Sequence, residues 1–238
     1  WKEDFNMGIM ETVPSQIKSY SYLKDTAANF EEGRIYVVGH SKGGNLALYS
    51  SIYSPISVNT RIEAIYNYDG PGFIRNLSDN PTYKRLINRI YTIVPQSSII
   101  GMLLDRNEDT IVIKSNVNGG FMQHYGFTWE LTGTSFERMD SRNKESQIID
   151  TAIKQFTVSA SFEQRKQLLN ALTNVFKGYE SYTLTELTAD KIHVINQLAK
   201  NLDGLDKETK SALTSSLRLI FKEGVSAVKY FSGFIRNN

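Results

Sequence analysis

Residues 34–53, RIYVVGHSKGGNLALYSSIY, pass from a run of strand-forming side chains through a glycine-flanked serine into an apolar helical segment. A chain that turns from strand to helix within about five residues holds the residue at the turn in a strained, exposed conformation, and such conformations cluster where chemistry is done. That residue is Ser41, at the centre of Gly39-His40-Ser41-Lys42-Gly43, which fits G-x-S-x-G. Gly39 and Gly43 are expected to remove side chains where strand and helix crowd together, and Gly44 to let them approach closer still. A glycine-rich turn with an incidental serine is the bland alternative, so the flanking segments carry the weight of the reading.

Those flanks repeat an alternation. Residues 14–30 begin with Pro14 and carry Ile17, Tyr20, Leu23 and Ala27 at helical spacing. Residues 34–38, 61–68, 89–94 and 110–114 read as β-branched strands, separated by helices over 45–54 and 81–88. Strands joined by helical crossovers run parallel and are expected to be covered on both faces, so this part is α/β. Past about residue 135 the apolar positions Ile149, Ile153 and Phe156, then Leu168, Leu172 and Val175, then Ile192, Ile195, Leu198 and Leu202 all keep helical spacing, with Gly204 as a C-cap. The expected organisation is an α/β core over 1–135 and an all-helical region over 136–238.

Composition narrows the functions. With 27 basic and 25 acidic side chains the net charge is +2, too balanced to point to nucleic acid. The chain has no cysteine, which removes disulfides and thiolate metal sites and fits a cytoplasmic protein; no metal or cofactor is expected. No window reaches the ~18 continuous apolar residues of a membrane span. In residues 209–236, Leu213, Leu217, Ile220, Val228, Phe231 and Ile235 share one helical face, opposite Arg218, Lys222, Lys229 and Arg236. Such a helix suits a membrane surface, although packing on the preceding helices is the expected use.

A serine hydroxyl needs a base within hydrogen-bond reach. His40 adjoins Ser41 and is expected to pack beside the turn, and His193 lies within a helix. His124 sits in a glycine-containing loop after the fourth strand, and the chain order Ser, acid, His is that of α/β-hydrolases. The acid is left between two residues. Asp69 ends a strand at the edge where such sheets place ligands, and is favoured; Asp105, on a loop after SIIGMLL, is the alternative. Glu63 lies within a strand, and Asp79 is expected to cap a helix.

VVGHSKGGNLALY, AIYNYDGPGF, IVPQSSIIGMLL and QHYGFTW, in that order, resemble a family of uncharacterised bacterial α/β-hydrolase proteins related to the class three, fungal-type lipases. The resemblance covers roughly residues 1–131. It implies that Ser41 is the nucleophile, that His124 is the base, and that the backbone N–H of Lys42 gives one oxyanion donor. WKEDFNM resembles the segment following an R-G-T type loop that supplies the second donor in the lipases, so that loop and the fold's first strands are expected upstream of Trp1. There is also a departure. Where class three lipases carry the catalytic aspartate, this chain has Gln96, Ser97, Ser98 and Ile99.

Two readings follow. One is a serine hydrolase cleaving a small-molecule or lipid ester through an acyl-enzyme, with Met102, Leu103, Leu104, Phe121, Phe127 and Trp129 as candidate lining for an apolar channel. The other is a catalytically inactive hydrolase-fold module used for binding or interaction.

Overall fold

The structure, a computed structural model, describes residues 6–142 apart from Ile9, Glu31, Ile99 and 118–121, together with scattered positions between 161 and 214. The helices expected over 136–238, including the amphipathic one at 209–236, lie almost wholly outside the described residues. Two compact units divide the chain, Met10–Asp150 being one and Trp1–Ile9 with Thr151–Asn238 the other.

Met10–Asp150 has the expected α/β character. Strands β1 (Ile35–His40), β2 (Ile62–Tyr68), β3 (Ile90–Pro95) and β4 (Thr110–Ile113) form one sheet in the order β1-β2-β3-β4, with every neighbouring pair parallel. Helix α1 (Pro14–Asn29) precedes β1, while α2 (Lys42–Tyr53) and the short α3 (Ile56–Asn59) connect β1 to β2. Helix α4 (Pro81–Leu86) lies between β2 and β3. A strand order that follows the chain, with crossovers of one hand, delivers successive helices to the same face of a sheet. The core accordingly joins Ala47, Leu48 and Ile52 of α2 and Leu86 of α4 to Ile65 of β2 and Ile90 of β3, with Leu23 of α1 and Val37 of β1 against it.

No helix among the described residues covers the opposite face. Tyr36 and Val38 of β1 and Tyr91 of β3 are exposed there. Tyr66 stacks on Tyr91 with ring centroids 5.2 Å apart. Aromatic and β-branched residues suit a strand whichever face they line, so propensity alone did not separate a covered face from an open one.

Helix α1 also differs in its inner face. Ile17 is exposed, whereas the polar Gln16 is buried. Gln16 Oε1 accepts the Val13 N–H at 2.9 Å, closing the helix start, and Gln16 Nε2 donates to Asn45 Oδ1 at 2.8 Å. Asn45 Nδ2 in turn donates to the carbonyls of Pro71 (3.2 Å) and Gly72 (2.6 Å). A buried amide that is fully bonded holds elements in one register where an apolar contact would let them slide. This chain of amides ties α1 and α2 to the loop that leaves β2. At the start of α4 the cap is Asn80, which accepts from Thr82 N and Tyr83 N at 2.9 Å each, rather than the expected Asp79.

Two short antiparallel strands, β5 (Leu131–Thr132) and β6 (Ser135–Phe136), were not anticipated. Gly133 turns between them at φ 64°. Beyond β6, Lys114 N donates to Glu137 O and Met139 N to Val112 O, each at 2.9 Å, so this segment runs antiparallel beside β4.

Candidate active site

Strand β1 runs two residues further than the sequence suggests, to His40, and α2 starts at Lys42. Ser41 therefore makes the whole turn by itself. Its backbone lies at φ 58°, ψ −132°, in a region costly for any residue with a side chain. The turn is pinned from both sides: Ser41 N donates to Tyr68 O of β2 and Gly44 N to Ser41 O, both at 2.9 Å. A methyl group on Gly39 would lie 2.0 Å from Gly43 O, and one on Gly44 would lie 2.0 Å from Asn67 Oδ1. The crowding expected at Gly43 is absent; a side chain there would meet open space.

Because β1 and β2 are parallel neighbours, Ser41 and Asp69 both follow the C-terminal ends of their strands. Asp69 is fully buried and, like Ser41, carries a positive φ, of 50°. Its main-chain N–H donates to Ile93 O at 2.8 Å. Gly70 follows because nothing larger fits: a methyl group there would lie 2.5 Å from Ser41 O. The Asp69 carboxylate is bonded through both oxygens. His124 Nδ1 lies 2.7 Å from Oδ2, and the Ser98 hydroxyl donates to Oδ1.

His124 closes a single 3-10 turn, Met122–His124, and is held at three points. His40 Nε2 donates to its carbonyl at 2.9 Å, and the His40 ring stacks on the His124 ring with centroids 4.6 Å apart. The preceding residue, Gln123, is buried; its Oε1 accepts from Ser97 N at 2.8 Å and its Nε2 donates to Val117 O at 2.8 Å. Trp129 Nε1 donates to the Gln123 carbonyl at 2.7 Å. With Nδ1–H directed at a carboxylate, Nε2 is the basic nitrogen of this ring.

Asp69 and His124, 55 positions apart, are thus brought together, beside the elbow that carries Ser41. The Ser41 hydroxyl makes no hydrogen bond to His124 here, a looseness common before substrate arrives. Asp105 is not brought to His124: its Oδ2 accepts from Asn76 Nδ2 at 2.9 Å, and its backbone pairs with Phe73. Lys42, whose main-chain N–H is the expected oxyanion donor, occupies the first position of α2, directly after Ser41. Of the candidate channel residues, Leu103 and Leu104 are half-buried and Phe127 is 87% exposed. Trp129 packs with Tyr68 and Phe136, at centroid distances of 6.0 and 5.6 Å, as part of the wall behind His124. Phe121 and the side chain of Met102 lie outside the described residues.

Sequence reasoning passed over Ser98 and Gln123. Ser98 did carry a signal, since it stands in the block where a carboxylate was expected and missing. Gln123 carried none, because a lone glutamine beside a histidine acquires meaning only when the chain brings Ser97 to it.

Fold and site together define a parallel α/β protein with a serine elbow next to a buried His–Asp pair. A family model described as Mbeg1-like matches residues 1–174, and the chain belongs to that family. No curated protein and no solved structure matches it. No helix among the described residues is long and apolar enough to cross a membrane.

Proposed function

We propose that this protein is a serine hydrolase of the α/β-hydrolase type that cleaves a carboxylic ester. The observation that carries the reading is the 2.7 Å bond between His124 Nδ1 and the buried Asp69 carboxylate, at the strand edge that also presents Ser41 at φ 58°. The lipase-like character of the Mbeg1-like family supports it.

In this mechanism Ser41 Oγ attacks the ester carbonyl as His124 Nε2 takes its proton. The imidazolium then carries a positive charge next to Asp69, which holds the ring in the tautomer that leaves Nε2 free to work. The N–H of Lys42, fixed at the start of α2, donates to the developing oxyanion; one such donor contributes about 3–4 kcal/mol of barrier lowering. Collapse expels the alcohol, protonated by His124, and leaves an acyl group on Ser41. Water, deprotonated by His124, repeats the sequence and releases the acid.

The second reading is an inactive hydrolase-fold module, which suits a Ser41 hydroxyl that makes no hydrogen bond to His124 among the described residues. A fluorophosphonate probe separates the two, since it labels only an activated serine. Labelling of the wild type that disappears in Ser41→Ala supports the hydrolase. An unlabelled wild type supports the module.

A further inference from the structure

We propose that Ser98 is a positioning residue for the Asp69–His124 pair, a role that rests on the hydrolase reading above. Asp69 Oδ2 alone faces His124, and a carboxylate held through one oxygen rotates about its Cβ–Cγ bond. The Ser98 hydroxyl stops that rotation by donating to the other oxygen, Oδ1.

The hydroxyl has little choice of direction. Ser98 is fully buried, and its oxygen accepts the Gly101 N–H at 3.1 Å, which directs its one proton toward Asp69. Ser98 is itself anchored to the end of β3, its N–H donating to Pro95 O at 3.1 Å. The loop behind it is shaped for the carboxylate: a methyl group on Gly101 would lie 2.2 Å from Asp69 Oδ1 and 2.8 Å from Val94 Cγ1. The adjacent Ser97 N–H holds Gln123, the neighbour of His124. One loop after β3 therefore grips the acid through residue 98 and Gln123, the neighbour of the base, through residue 97. Family resemblance places the acid itself on this loop; here the loop supplies a hydroxyl that orients an acid coming from β2.

The test reads the proton between the two residues. In the full-length protein with ¹⁵N-labelled histidine, the His124 Nδ1–H is expected as a downfield, slowly exchanging resonance. Ser98→Ala should move it upfield and speed its exchange at least about tenfold, as removal of a charge-assisted bond implies. Ser98→Thr, which retains the hydroxyl, should restore it. Ser98→Cys keeps the volume with a weaker donor and should give an intermediate shift, which serves if the alanine variant does not fold.

With an ester substrate, Ser98→Ala should lower kcat about ten- to a hundredfold at unchanged KM, and should add nothing on an Asp69→Asn background. A resonance that neither shifts nor exchanges faster in Ser98→Ala or Ser98→Cys overturns the proposal. An unlabelled, inactive wild type overturns the hydrolase reading alone, because the resonance still reports whether Ser98 fixes the pair.

Discussion

His40 Nε2 donates to the carbonyl oxygen of His124 at 2.9 Å, and the two imidazoles stack in the process. A carbonyl only accepts, so Nε2 of His40 carries hydrogen. Burial lowers the His40 pKa below its ordinary value, and repulsion from His124 lowers it further. The bond to the His124 carbonyl and the charge of Asp69 pull the other way without reversing the shift.

The folded state consequently resists protonating His40, whereas the unfolded chain takes up that proton near pH 6.5. More protons are then bound unfolded than folded in the window below pH ~6.5, so stability rises with pH there and is lost as the pH falls toward the lowered folded pKa. Chemical denaturation at several pH values should show this slope in the wild type and a shallower one in His40→Phe, which retains the ring stack. Equal slopes in the two proteins would remove His40 as the source.

Ser41→Ala should abolish ester turnover, by at least about a thousandfold, while changing stability by less than ~1 kcal/mol. Serine and alanine bear similar strain at φ 58°, and the hydroxyl gives up no bond to a described residue. Turnover of nitrophenyl esters together with a thermal melt decides it. Retained turnover would remove Ser41 from the chemistry.

Asp69→Asn should reduce kcat by about 10⁴-fold, because an amide in place of the carboxylate disturbs the tautomer of His124. Asp105→Asn should leave kcat within about threefold, since Asp105 bonds Asn76 and its loss costs no more than an exposed hydrogen bond. The inverse pattern in steady-state kinetics would transfer the acid's role to Asp105.

Gly39→Ala should destabilise the protein by about 3 kcal/mol or more, because the added carbon meets backbone 2.0 Å away and backbone cannot swing aside. Gly43→Ala, with open space and a helical position, should instead gain about 0.5–1 kcal/mol. Urea midpoints of the two variants test the contrast. A destabilised Gly43→Ala would mean that the turn crowds at both glycines, as its sequence alone suggests.

The order and type of the main elements from α1 to β4 were legible in the chain, because they rest on local properties. The β-branched runs, the helical spacing around Leu48 and Ile52, and the prolines that open α1 and α4 act within a few residues of themselves. The serine elbow was legible for the same reason: strand, turn and helix are contiguous. The candidate acid was legible only as a preference. A strand-end position favours Asp69 over Asp105, and parallel pairing of β1 with β2 then sets Asp69 beside the elbow, where the loop after β3 presents Ser98 to it. Gln16 shows the same limit from the other side, since a glutamine on the inner face of a helix is a defect by pattern. It becomes a fixture once Asn45, 29 residues on, lies opposite it. The placing of helices α1, α2 and α4 on one face of the sheet follows from strand order, which no window of sequence contains. Periodicity records what each segment needs to bury, whereas the partners of a buried polar group are chosen by contacts distant in the chain, and those only the tertiary structure decided.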